Sequence, residues 1–276
     1  MTAIYKDPSY STSERVEDLI ERMTLPEKIG QMLQPNGHDD ANPPKKIIKE
    51  KHAGTFLHLH GEICNELQEI AAQTRLGIPL LFGIDAIHGH SFCQDAVIFP
   101  TQIGMASSWN PDILERAAQI TAKEVALTGV HWTFSPVLGL GRDPRWGRID
   151  ETFGEDPFLT GVLGEAMVKG YQGEALSSAD SILACAKHFA AYGETVGGRD
   201  SAETEISERK LRSLFLPPFK RVVDTGCATI MAGYHANDGV PCSADKRLLT
   251  DILKDEWGFD GFVVTDWNNI GHLHTT

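Results

Sequence analysis

The sequence has no long apolar run. A membrane-spanning helix needs about 18 or more consecutive apolar residues, and runs such as Phe262-Val263-Val264 stop far short of that. Nor is there an excess of basic charge: 25 Lys and Arg stand against 38 Asp and Glu, for a formal net charge of -13 over 276 residues. A nucleic-acid binder carries a basic face, so that class is set aside and a neutral or cationic partner fits better. Cysteine is sparse. Cys64, Cys93, Cys185, Cys227 and Cys242 are widely spaced with no C-x-x-C, which makes neither a disulfide framework nor a familiar zinc site. The first residues lack the apolar segment of a secretory signal. That points to the cytoplasm, or to the periplasm or exterior if a leader has been removed. Internal repeats and low-complexity tracts are also missing. Apolar residues at 41% and charged residues at 23% are ordinary globular composition, with ample material for a buried core.

What is present is an alternation of short apolar runs with amphipathic helices. The spacing of Val16, Leu19, Ile20 and Met23 predicts a helix over Ser13–Met23. Thr24-Leu25-Pro26-Glu27 reads as a capping box opening a second helix, and 36–44 as a polar, Pro-rich loop. Further helices are expected over 65–76, 111–128, 157–171, 207–223 and 244–256, with Pro217-Pro218 breaking or restarting one of them. Strands are expected over 53–57, 79–85, 132–137, 182–189, 228–231 and 261–266. Continuous apolar strands between helices indicate α/β architecture with a parallel sheet. The count, about six or seven βα units, approaches the eight of a TIM-type barrel and also suits a doubly wound open sheet.

Polar residues close nearly every strand: Asp85, Lys187-His188, Tyr234-His235 and Asp266-Trp267. A barrel gathers such strand ends into one bowl, where active sites of that fold lie. Asp266 and Asp85 suit a nucleophile, a stabilising charge or a hydroxyl acceptor, or else a helix cap or loop salt bridge. Lys187 and His188 are adjacent, so their side chains reach one ligand only if the strand bends. Arg148, in Arg142-Asp143-Pro144-Arg145-Trp146-Gly147-Arg148, offers a fixed fork of donors, or a loop-holding pair with Asp. His58-Leu59-His60 and His88-Gly89-His90 lack the spacing and context of metal ligands, so no metal and no cofactor is expected. Carboxylates, cations and aromatics together suit a neutral, hydroxyl-rich ligand, a carbohydrate.

Taken together, these segments resemble the N-terminal barrel domain of family 3 glycoside hydrolases, the β-glucosidase type. The resemblance rests on Met23-Thr24-Leu25-Pro26-Glu27-Lys28-Ile29-Gly30-Gln31-Met32, Gly83-Ile84-Asp85-Ala86-Ile87-His88-Gly89, Phe99-Pro100, Ser135-Pro136-Val137 and Asp143-Pro144-Arg145-Trp146-Gly147-Arg148. It continues through Glu151-Thr152-Phe153-Gly154-Glu155-Asp156-Pro157, Lys187-His188-Phe189, Asn237-Asp238-Gly239-Val240-Pro241 and the stretch from Trp257 to Trp267. It implies a TIM-like (β/α)8 barrel and retaining release of terminal β-D-glucose, with Asp266 as the nucleophile that forms the glycosyl-enzyme. Asp85, Arg148, Lys187 and His188 would bind sugar hydroxyls. Tyr234 would lie beside the nucleophile, Trp267 would help form the sugar site, and Arg199 would stand at its rim. In the β-glucosidase type the general acid is a Glu on a following α/β sandwich domain. The chain stops soon after Asp266, so residues 1–276 are expected to be a partial barrel, with that domain supplied in cis or in trans. Alternatives are a non-catalytic sugar-binding fragment, or a β-xylosidase or other β-glycosidase of the same family. In the branch that cleaves N-acetylglucosaminides, the Lys-His pair is followed by a second His. Lys187-His188-Phe189-Ala190-Ala191-Tyr192-Gly193 lacks it, which disfavours that branch.

Overall fold

A computed structural model describes residues 3–273. They divide into two compact units. The first runs to Ile84 and adds Thr128–Val130; the second takes Asp85–Leu127 and the residues from His131 onward.

The first unit holds α1 (Thr12–Arg22), α2 (Leu25–Gln31), α3 (Pro44–Lys51), β1 (Thr55–Leu57), α4 (Glu62–Ala72) and β2 (Leu81–Ile84). Strands β1 and β2 pair in parallel, with Phe56 opposite Phe82 and both rings fully buried. The capping box at Thr24 forms as expected. Thr24 Oγ1 accepts from the Glu27 N–H, and Glu27 Oε2 accepts from the Thr24 N–H at 2.8 Å. Glu27 also receives Arg75, whose Nε lies 2.9 Å from Oε1. Helix α3 was not expected, because Pro43-Pro44 reads as loop. Pro44 instead takes the first helical turn, where a missing N–H costs nothing.

The Arg75 guanidinium and the two Thr24 donors hold the Glu27 carboxyl down at about 2 despite burial. A depressed carboxyl stabilises the fold above its unfolded value, and that contribution is lost as pH falls through the folded one. Glu27→Gln is therefore expected to cost about 1–2 kcal/mol at pH 7, trimmed because half-exposed Arg75 is screened by solvent. The difference from wild type should vanish between about pH 4.5 and 2, as pH-dependent thermal melts would check.

The second unit carries α5 (Gln102–Ala106), α6 (Pro111–Leu127), β3 (Trp132–Thr133), α7 (Pro157–Gln172) and β4 (Cys185–Phe189). Then come α8 (Glu208–Lys210), α9 (Leu216–Asp224), β5 (Thr229–Ala232), the short antiparallel pair β6 (Ala236–Asn237) and β7 (Val240–Pro241), β8 (Phe262–Thr265) and α10 (Asn269–His272). Strands β4, β5 and β8 form one parallel ladder. The chain from Trp132 to Val137 joins β4's free side through parallel bridges Trp132–Leu183 and Val137–Lys187. The run of strands curls. Trp132 on its first strand reaches Phe262 on its last, ring centroids 5.1 Å apart, and donates through Nε1 to Thr229 Oγ1 at 2.9 Å. In a flat sheet, strands three places apart lie about 14 Å from each other. The ladder is therefore curved.

Helix α7 starts as its sequence predicts, with the Asp156 side chain accepting from the Leu159 N–H. Pro217 and Pro218 neither break nor restart the helix as expected: helical winding runs on from Glu208 through the π-helical Leu211–Phe215 into α9, and the prolines follow directly after that wider turn. Two stretches differ from expectation in kind. Leu211–Phe215 and Arg247–Glu256 are π-helical, and side-chain periodicity alone does not separate that winding from an α-helix. Among the described residues no helix is long and apolar enough to cross a membrane.

Candidate active site

The candidate residues lie in the second unit, most of them at the C-terminal ends of its strands. Asp266 directly follows β8, Lys187 and His188 lie within β4, Tyr234 follows β5 closely, and Asp85 begins the unit. A parallel sheet puts these ends on one side, so the chain order of the strands gathers residues far apart in sequence.

The requirement that the strand bend at Lys187-His188 is met. The β4–β5 register shifts between Lys187 and Phe189. Both side chains are consequently buried in the same cluster, at 3% and 1% exposure. Lys187 Nζ donates to Asp85 Oδ1 at 2.8 Å. Asp85 remains a third exposed, so this pair has one dry and one wet member.

Arg148 is clamped. Its Nε and Nη2 donate to the two carboxylate oxygens of Glu151 at 2.6 and 2.9 Å. Nη2 also lies 3.2 Å from His188 Nε2. Burial works against the guanidinium charge, but Glu151 outweighs it and Arg148 stays protonated. A guanidinium only donates, so in this contact Nε2 of His188 accepts and the imidazole proton falls on Nδ1, which is buried with no hydrogen-bond partner among the described residues. Burial, reinforced by the charges of Arg148 and Lys187, keeps this ring neutral by pushing its pKa well below the usual histidine value.

That tautomer has a consequence for Asp266. His188 Nε2 lies 3.4 Å from Asp266 Oδ2 but has no proton to give it. Asp266 Oδ1 accepts from the Trp267 N–H at 2.7 Å, while buried Oδ2 has no hydrogen-bond partner among the described residues. Burial raises the Asp266 pKa, opposed by the Trp267 N–H, by the charges of Lys187 and Arg148 and, least, by the nearby Tyr234 hydroxyl. The arrangement is a carboxylate with one oxygen fixed and the other free, in a field of two cations. Tyr234 braces the same corner: its O–H donates to the Trp267 carbonyl at 2.9 Å. The Trp267 side chain is about half exposed.

The structure thus brings Asp266, His188, Arg148, Lys187, Asp85, Tyr234 and Trp267 together. Arg199 is exposed, and among the described residues no hydrogen bond or ion pair ties its guanidinium to this group. Glu151 escaped notice in the sequence, although its spacing of three from Arg148 was readable. Tyr192, whose ring lies against both Arg148 and His188, carried no such signal. His88 Nδ1 pairs with the Phe99 carbonyl oxygen at 2.8 Å. Among the described residues no group of three or more His, Cys, Asp or Glu could hold a metal ion.

The model of the glycosyl hydrolase family 3 N-terminal domain matches residues 24–276. A periplasmic beta-glucosidase of Salmonella typhimurium is 37% identical over 262 residues, covering 94% of this chain and 34% of that protein. A beta-xylosidase of Formosa agariphila is 36% identical over 255 residues, covering 88% of this chain and 35% of its own length. Among solved structures, a beta-glucosidase involved in saponin metabolism from intestinal bacteria superposes with a TM-score of 0.87 at 53% identity, covering 95% of this chain and 35% of that one. The chain therefore spans about a third of the length of the relatives it matches.

Proposed function

The chain belongs to glycosyl hydrolase family 3 through its N-terminal domain, and from that premise we propose that its site is the nucleophile half of a retaining β-glucosidase on a (β/α)8-type barrel. The observation that carries the reading is the donor-free Oδ2 of Asp266, buried beside His188 and held in the field of Arg148 and Lys187. This oxygen attacks the anomeric carbon of a terminal β-glucoside. The bond to the leaving oxygen breaks as a proton is delivered to it, and water then releases the sugar from Asp266. Asp85, Lys187 and Arg148 bind the hydroxyls of the sugar, with Tyr234 and Trp267 forming its wall and Arg199 its rim.

The proton donor comes from polypeptide outside residues 1–276, in the same chain or another. Retaining enzymes place it about 5–5.5 Å from the nucleophile. Within the cluster, Glu151 is held by Arg148 and Asp85 by Lys187, which casts both as acceptors for those cations. The two relatives' names leave glucose and xylose as the sugars to compare.

The test uses 2-deoxy-2-fluoro-β-glucoside and the matching β-xyloside, each with a leaving group that departs without protonation. The glucoside is expected to label the folded protein faster. Faster labelling by the xyloside would make the site that of a β-xylosidase. Sugar binding without labelling by either would mark a binding module instead of an enzyme.

A further inference from the structure

Tyr192 lies in the turn after β4, fully buried, and no expectation from the sequence assigned it a part. Its ring meets the site from beneath. The Arg148 guanidinium carbon stands 5.5 Å from its centroid, and the His188 ring meets it edge-on at 4.9 Å. On its other sides it stacks on His235 at 5.3 Å and 20°, and meets Trp146 edge-on at 5.4 Å. Those two partners are themselves pinned. His235 Nε2 is 2.9 Å from the Ala190 carbonyl oxygen, and Trp146 Nε1 donates to Asp200 Oδ1 at 3.1 Å. Gly193 permits the layer to close, because a Cβ there would fall against the Leu140 carbonyl oxygen and 2.9 Å from the Trp146 ring. By contrast, the Tyr192 hydroxyl makes its polar contacts away from Arg148 and His188: a long one to Ser201 Oγ, 3.4 Å, and one with the Asp200 carboxylate.

We propose that the Tyr192 ring is a positioning residue that holds Arg148 and His188 in register, so that Nε2 of His188 accepts from Arg148 and leaves Asp266 Oδ2 without a donor. The inference rests on the proposed role of Asp266 for its kinetic consequence, but not for its structural one. A cation over an aromatic face and an edge-on ring pair each favour one placement of the groups above them. If the ring is lost, His188 is free to turn, take the other tautomer and donate to Oδ2, quenching the oxygen that reacts.

The test compares wild type, Tyr192→Phe and Tyr192→Leu by two readouts. One is the tautomer of His188, from ring-nitrogen NMR of histidine-labelled protein, assigned with His188→Gln. The other is the rate of labelling by the activated 2-fluoroglucoside. Wild type and Tyr192→Phe are expected to share the Nδ1–H tautomer and label within about twofold of each other. Tyr192→Leu is expected to shift toward Nε2–H and to label about 10- to 100-fold more slowly, the cost of a misplacement near 1 Å. Phe215→Leu, a comparable loss of a buried ring elsewhere, should lower stability without changing either readout. An unchanged tautomer in folded Tyr192→Leu would overturn the proposal, as would Tyr192→Phe behaving like Tyr192→Leu. If Tyr192→Leu does not fold, the wild-type spectrum decides, since an Nε2–H tautomer there contradicts the arrangement. If wild type folds but does not label, the nitrogen spectra still test the Tyr192 proposal, and it is the reading of Asp266 that falls.

Discussion

Asp266→Asn is expected to abolish covalent labelling and turnover while leaving the protein more stable than wild type. The functional loss should be large, on the order of 10^4-fold or more, because no other group replaces a missing nucleophile. The gain in stability follows from the direction of the Asp266 pKa. Burial raises it above the ordinary carboxylate value, beyond what the Trp267 N–H, Lys187 and Arg148 recover. A carboxyl whose folded value is raised destabilises the fold once pH exceeds its unfolded value. At pH 7 the charged form is therefore a cost, and a neutral amide of the same shape removes it. Thermal melts at pH 7 should show a higher Tm for the variant, and the difference should disappear toward pH 3, where both are neutral. A lower Tm at pH 7 would mean that the two cations need the carboxylate more than burial opposes it. A functional group that weakens its own fold is what a reactive site produces, since stability and activity trade against each other there.

The pair Lys187–Asp85 should show an unequal response to its two deletions. Lys187 is almost wholly buried, its side chain 4% exposed, whereas that of Asp85 is 33% exposed. Asp85→Ala strands a buried ammonium, and removing one partner of such a pair costs about 3–5 kcal/mol. Lys187→Met leaves a carboxylate that water already reaches, so its cost should be about 1 kcal/mol or less. Urea unfolding of both variants measures the difference directly. Equal costs would show that Lys187 finds another acceptor or draws water when Asp85 is gone. Both variants are also expected to lose sugar binding, the role proposed for the pair, so binding and stability are read separately.

Much of this site was legible because two local rules carry it. In a parallel α/β chain, a polar residue at the end of an apolar strand reads as a site residue, and that rule places Asp85, Lys187, His188, Tyr234 and Asp266. The helix-start rule placed Thr24 with Glu27 and Asp156 with Pro157, both seen as expected. The bend at Lys187-His188 was stated only as a condition, since whether a strand bulges depends on its neighbour's register. What stayed hidden depends on tertiary contact. Tyr192, Trp146 and His235 form a layer from three separate loops, with no period or spacing to reveal it. Helix α3 was masked by its own prolines, and the π-helical turns by having the apolar pattern of ordinary helices. Arg199 is exposed and, among the described residues, makes no bond to the cluster, which is compatible with a place at the rim and does not decide it.

The measurement that bears most directly on the account is the site of covalent attachment. Wild-type protein, labelled with the activated 2-deoxy-2-fluoro-β-glucoside, would be digested and its peptides sequenced by mass spectrometry. The expected result is a single fluoroglucosyl group on the peptide spanning 262–267, carried by Asp266 and missing from Asp266→Asn. A sugar attached instead to Asp85 or Glu151, or undiminished labelling of Asp266→Asn, would contradict the assignment of the free carboxylate oxygen as the group that reacts.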